Sequence, residues 1–190
     1  DSFMSILVAG ATGLAGSAIV DELEKNGENV IKVNSKVVDL TDRKLTFEFI
    51  LDHKPEVVID AAAKAGGIHA NNSLPVDFLS LNLQIQTNLM DASHKANVER
   101  FLFLGSSCIY PKLAAQPIKE SELMNGPLEP TNSAYAVAKI AGIELINSYR
   151  RQFGKHWISV MPTNLYGPRD NFDLSSSHVL PAMFRKFDDA

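Results

Sequence analysis

Cysteine is nearly absent: the 190-residue chain holds one, Cys108. A single thiol excludes an intrachain disulfide and any cysteine-rich metal site, so no metal is expected, and it suits a reducing compartment such as the cytoplasm. Long apolar runs are missing too. None approaches the roughly 20 residues that span a bilayer, and no signal-peptide pattern is visible. There is no Lys/Arg run, and 18 basic residues stand against 22 acidic ones for a net charge of −4. Nucleic acid and anionic membrane surfaces are therefore poor partners. Internal repeats and low-complexity segments are also lacking. What remains is ordinary globular composition, 45% hydrophobic and 21% charged, enough to bury one core without staples.

Five short apolar runs recur along the chain, at residues 4–9, 30–33, 57–60, 100–104 and 157–161. Runs of this length, rich in β-branched and aromatic residues and bounded by Gly, Pro and Asn, read as buried strands. Their near-continuous hydrophobicity fits a parallel sheet covered on both faces. Helical patterns fall between them, at 14–26, 40–54, 74–97 and 133–153. Gly27 and Gly154 are suited to stop the first and last of these. In the second, Thr41 or Asp42 is the candidate N-cap, and Leu45, Phe49 and Ile50 share one face. The alternation predicts an α/β fold, a doubly wound parallel sheet of Rossmann type. Residues 108–132 hold prolines at 111, 117, 127 and 130, and read as a loop over the active face.

The first run leads into Gly10, Ala11, Thr12, Gly13, Leu14, Ala15 and Gly16. Glycines three apart, between a strand and a helix, serve three purposes: a tight turn, close approach of backbone to a pyrophosphate, and close helix–strand packing. The helix start adds N–H groups and a positive dipole end for the phosphates. A tight turn without a ligand is the plainer reading of the same residues. After the second run come Asn34, Ser35 and Lys36, with no carboxylate. An NAD site usually places Asp or Glu there for the ribose diol, whereas a lysine can pair with a 2′-phosphate, so NADP (as NADPH) is the expected cofactor. Asp39 and Leu40 follow; Asp39 either contacts the adenine side or prepares the next helix.

Tyr135 and Lys139 stand four apart, on one helical face. An ammonium beside a phenol stabilises the phenolate, so Lys139 is expected to lower the Tyr135 pKa and make it an acid–base group. Ser106 and Ser107 follow the fourth strand, at the sheet edge where such folds bind ligands. The Ser106 hydroxyl can hold a carbonyl oxygen against the phenol. The isolated Tyr/Lys spacing is equally a turn of amphipathic helix; the glycine turn and the strand-end serine give it the catalytic meaning.

The glycine turn, Ser106 and the Tyr135/Lys139 pair resemble the extended short-chain dehydrogenase/reductases. Longer stretches narrow the resemblance: AAAKAGGI at 61–68, Ala70 to Asn72, LGSSCIYP at 104–111, LEPTN at 128–132, MPTNLYGP at 161–168 and SHVLPA at 177–182. They are similar to the GDP-L-fucose synthase family, from about residue 4 to the end. The resemblance implies conversion of GDP-4-keto-6-deoxy-D-mannose to GDP-L-fucose, by epimerisation at C3 and C5 and reduction of C4 with NADPH. It implies that Ser106, Tyr135 and Lys139 form the reductive triad and that Cys108 and His178 move the epimerisation protons. Leu104, Gly105, Ser106 and Ser107, with Pro162, Thr163, Asn164, Leu165 and His178, would face the cofactor, and Lys139 as well. The family's phosphate-binding arginine falls on Lys186, which cannot bind bidentately.

A homodimer is expected. Residues 1–168 are expected to form the dinucleotide-binding domain, and 169–190 the start of a substrate-binding region most of which the chain lacks. Two other readings compete: a nucleotide-sugar 4-epimerase or 4,6-dehydratase, which would favour a carboxylate after the second strand, and a dinucleotide-binding module without turnover.

Overall fold

The computed structural model describes residues 4–174 and 176–189. Strands β1 (Ser5–Ala9), β2 (Asn29–Val33), β3 (Val57–Asp60), β4 (Arg100–Leu104) and β5 (His156–Val160) form one sheet in the order β2-β1-β3-β4-β5, and every pairing is parallel. The helices are α1 (Leu14–Lys25), α2 (Arg43–His53), α3 (Ile68–Ser73), α4 (Pro75–Lys95), α5 (Ser133–Phe153) and α6 (Val179–Asp188). None of the described helices is long and apolar enough to cross a membrane.

Alternation along each strand divides the core. Leu7, Val58, Phe101, Phe103 and Trp157 pack with Ile50 of α2, Leu89 of α4 and Ile146 of α5. Ile6, Val8 and Ile59 pack with Val20 of α1 on the opposite face. That second face is covered less completely than the apolar pattern suggests, for Ile158 and Val160 of the edge strand β5 remain 49% and 38% exposed.

The helix ends follow their caps. Asp42 accepts from the Leu45 N–H and starts α2, so the cap is Asp42 rather than Thr41. Gly27 and Gly154 take positive φ, 80° and 66°, just past α1 and at the end of α5. Leu45 does not join the apolar face expected of α2: it is exposed, and Thr46 is buried in its place. The Thr46 hydroxyl donates within the buried turn, at 2.8 Å from Asp42 O and 3.3 Å from Leu40 O, and this fixes the rotation of the helix. The long segment before α5 is a loop with three short 3₁₀ turns, Ser107–Ile109, Glu120–Glu122 and Pro130–Asn132.

Candidate active site

In an open parallel sheet the order of strands reverses at one point, and the crevice lies beyond the carboxyl ends there. Here that point falls between β1 and β3. A cleft of about 390 Å³ opens above it. Gly13, Leu14 and Ala15 line it after β1, Ala61 and Ala63 after β3, and Leu104, Gly105 and Ser106 at the end of β4. Pro162, Thr163, Asn164 and Leu165 follow β5, and Tyr135, Lys139 and His178 close the wall. A hollow of about 670 Å³ lies at the other end of β5, around Gly154, Lys155 and His156. It is the wrong edge of the sheet for a ligand of this fold class.

The glycine turn separates what the fold requires from what it leaves free. Gly10 has φ +76°, and a Cβ on it would stand 2.6 Å from Ala61 O; a Cβ on Gly16 would stand 2.0 Å from Gly10 O. Both are demanded by close backbone packing. Gly13 has an ordinary φ of −76°, and its Cβ would meet only Gly10 O, at 3.4 Å. A glycine where the protein has room for a methyl group keeps that room for a ligand. Gly13 is also the N-cap of α1, with no side chain capping the helix and no acidic residue in its first turn. The first N–H groups of a helix lack intrahelical acceptors, so this end suits a dinucleotide's phosphates.

The polar groups converge at the end of β4. Ser106 Oγ accepts from the Cys108 N–H at 3.3 Å. Burial pushes the Tyr135 phenol up to about 12, and the neighbouring Cys108 adds to the rise more than the Ser106 hydroxyl offsets it. Lys139 is not the group that tunes Tyr135, contrary to the expectation from their spacing. Its ammonium donates to Leu104 O at 2.8 Å and stands 4.6 Å from the centre of the Phe103 ring, but 5.8 Å from that of Tyr135. Burial lowers the Lys139 pKa, and Asp60 opposes that effect.

The remaining expected residues divide into three groups. Ala11 is buried in the turn, with its N–H on Val33 O at 2.9 Å, and Thr12 is exposed beside it. Ser107 opens the first 3₁₀ turn and Cys108 is half-buried next to it, and neither is among the residues that line the cleft. Lys36, Asp39, Leu40 and Lys186 do not line the cleft. The Lys36 N–H is held by Asn34 Oδ1 at 2.9 Å, and its side chain is exposed. The Asp39 carboxylate accepts from the Thr41 hydroxyl at 2.7 Å and from its N–H at 2.9 Å, bonds that hold its pKa down. The Leu40 side chain is buried in the core, so it offers no side-chain contact to a cofactor. Lys186 is exposed on α6.

Asp60 is the residue that spacing did not reveal. It ends β3, is fully buried, and has Oδ2 without a hydrogen-bond partner. Its strand register pairs it with Phe103, over whose ring the Lys139 ammonium sits. A carboxylate closing an otherwise apolar strand was the available signal. Burial raises its pKa from 3.8 to about 6, against the pull of Lys139. Between those two values the folded chain holds the proton more tightly than the unfolded one. Stability therefore falls as pH rises through this window, by about 3 kcal/mol at roughly 1.4 kcal/mol per pKa unit. Asp60→Asn lacks this decline. Urea midpoints from pH 4 to pH 7.5 should show wild type losing ground to the variant, and parallel curves would contradict the assignment.

Comparison with known proteins agrees with this fold. The model of the NAD dependent epimerase/dehydratase family matches residues 6–190. A GDP-L-fucose synthase of Sinorhizobium fredii is 55% identical over 185 residues, covering 97% of this chain and 59% of that protein. Among solved structures, a GDP-6-OMe-4-keto-L-xylo-heptose reductase of Campylobacter jejuni superposes with a TM-score of 0.94 at 37% identity, over 98% of this chain and 54% of that one. A GDP-L-fucose synthetase of Naegleria fowleri bound to NADP gives 0.87 at 34% identity, over 98% and 62%. The chain thus spans between about half and two thirds of the length of these proteins.

Proposed function

The chain belongs to the NAD dependent epimerase/dehydratase family, and from that premise we propose that its cleft serves NADPH-dependent 3,5-epimerisation and 4-reduction of GDP-4-keto-6-deoxy-D-mannose to GDP-L-fucose. The observation that carries this reading is that Ser106, Tyr135 and His178 line one cleft, with Cys108 beside them, its N–H on Ser106 Oγ. A reductase without epimerisation needs the serine, the tyrosine and the lysine. The thiol and the imidazole are the additional groups that inversion at two carbons requires. The similarity to GDP-L-fucose synthases supports the choice of sugar.

NADPH, when bound, supplies the hydride to C4. The α1 start and Gly13 would hold its phosphates, and Lys36 would meet the 2′-phosphate. Tyr135 keeps its proton at neutral pH because it is buried, which suits a group that must give that proton to O4 as the carbonyl is reduced. Ser106 holds the same oxygen. Lys139, tied to Leu104 O, fixes the floor of the site. C3 and C5 both flank the C4 carbonyl, so one enolate oxygen, stabilised by Ser106 and Tyr135, acidifies both positions. Cys108 would take the proton from carbon, and His178, on a separate segment, would return one to the opposite face. A homodimer belongs to the same reading, and so does a cytoplasmic location, which the single thiol supports. The test is turnover by the natural full-length protein: GDP-L-fucose formed with one NADPH oxidised per molecule supports the proposal, and NADPH binding without consumption of the keto sugar opposes it.

A further inference from the structure

Asparagine at a helix N-cap normally turns its side-chain oxygen onto an N–H of the first turn. Asn132 occupies the N-cap of α5 and makes no such bond. Its Nδ2 points across the loop instead, 3.3 Å from Cys108 Sγ, and its Oδ1 is buried with no hydrogen-bond partner. The surrounding loop holds this arrangement. Lys112 pairs with Glu129 at 2.7 Å, and the Lys112 N–H donates to Pro127 O at 3.0 Å. Glu129 Oε1 in turn accepts from the Thr131 N–H at 3.4 Å and from its hydroxyl at 3.3 Å. The segment carrying the sulfur is thereby clamped to the segment carrying the amide. On the other side the Cys108 N–H is fixed by Ser106 Oγ. Tyr135 lies three residues beyond Asn132, on the same first turn of α5.

A carboxamide N–H is a donor at every pH and carries no charge. Facing a sulfur that must hold an electron pair, it supports that pair and fixes where it is aimed. We infer that Asn132 is a positioning residue, which holds the Cys108 sulfur ready to take a proton from a carbon beside the substrate carbonyl. This rests on the reading of Cys108 as an epimerisation base. In that step the sulfur lone pair forms the S–H bond, the C–H bond breaks, and its electrons pass to the C4 oxygen, which Ser106 and Tyr135 stabilise. Nothing is oxidised or reduced.

Cys108 is the only cysteine among these 190 residues, so alkylation of the full-length protein by iodoacetamide, an uncharged reagent, is read on the proteolytic peptide that carries this sulfur. Followed by mass at fixed pH, Asn132→Ala should slow alkylation about tenfold, the scale of one charge-assisted hydrogen bond. The near-isosteric Asn132→Asp should slow it further, because a carboxylate repels the developing negative sulfur. A residue that only braced the loop would give the opposite sign, since loosening a half-buried thiol speeds its reaction. Alkylation at or above the wild-type rate in either variant overturns the inference. That readout needs no substrate and no turnover, so it stands apart from the test of the proposed function.

Discussion

Tyr135→Phe in the full-length protein retains NADPH binding and loses reduction of the 4-keto sugar, with turnover down by about 10²–10⁴-fold, the range of one positioned proton donor. The ring is retained, so its edge-on packing against Phe78, with centroids 6.3 Å apart, survives. Only the hydroxyl is lost. Burial holds that hydroxyl neutral, at a pKa of about 12, so at pH 7 the wild-type site is already loaded with the proton that O4 needs. The same fact predicts that reduction does not speed up as pH rises toward 9, as it would if a phenolate were required. Stopped-flow oxidation of NADPH with the keto sugar measures both. Reduction by Tyr135→Phe at a near wild-type rate would remove Tyr135 from its role.

Alanine at Gly16 and alanine at Gly13 give opposite phenotypes three residues apart. At Gly16 the new methyl would stand 2.0 Å from Gly10 O. Backbone cannot yield there without moving α1 away from β1, so Gly16→Ala costs stability at or beyond the upper end of the usual 1–3 kcal/mol for overpacking. Thermal unfolding should fall by many degrees, if the variant folds at all. At Gly13 the methyl meets only Gly10 O at 3.4 Å, and φ is ordinary. Gly13→Ala should melt close to wild type, yet bind NADPH roughly 10–100-fold more weakly, since the same overpacking is now borne by the ligand contact. Melting curves and NADPH fluorescence titrations separate the two. Equal binding by Gly13→Ala and wild type would show that the phosphates lie elsewhere.

Much of the framework is legible in the chain. β3 and β4 coincide with their apolar runs, and α5 covers the expected residues up to Gly154. Local signals control these elements: Pro55 before β3, and a left-handed glycine after α5. β5 begins one residue earlier than its apolar run, at His156, because parallel pairing with Arg100 extends the ladder to a polar residue. α3 is a polar hexapeptide, IHANNS, with no apolar period to betray it. The site shows the same division. Ser106, Tyr135 and Lys139 meet on the cleft as their strand-end and helical positions require. What Lys139 does there was not legible, since a spacing of four fixes a face and not the direction of an ammonium. Its ties to Leu104 and Asp60 cross from α5 to β4 and β3. The Asn132–Cys108 contact spans 24 residues of loop and has no periodic signature.

The most direct test of the epimerase/reductase assignment follows the sugar protons by NMR in D₂O. With full-length protein, GDP-4-keto-6-deoxy-D-mannose and NADPH, the product should be GDP-L-fucose carrying deuterium at C3 and C5, with hydrogen from the cofactor at C4. Cys108→Ser replaces the thiol by a hydroxyl that does not ionise near neutral pH. It should stop deuterium entry at C3 and C5 while the Ser106–Tyr135 pair still permits slow reduction of the unepimerised ketone. Wild-type deuterium incorporation by Cys108→Ser, or product formed with protium retained at both carbons, would contradict the assignment.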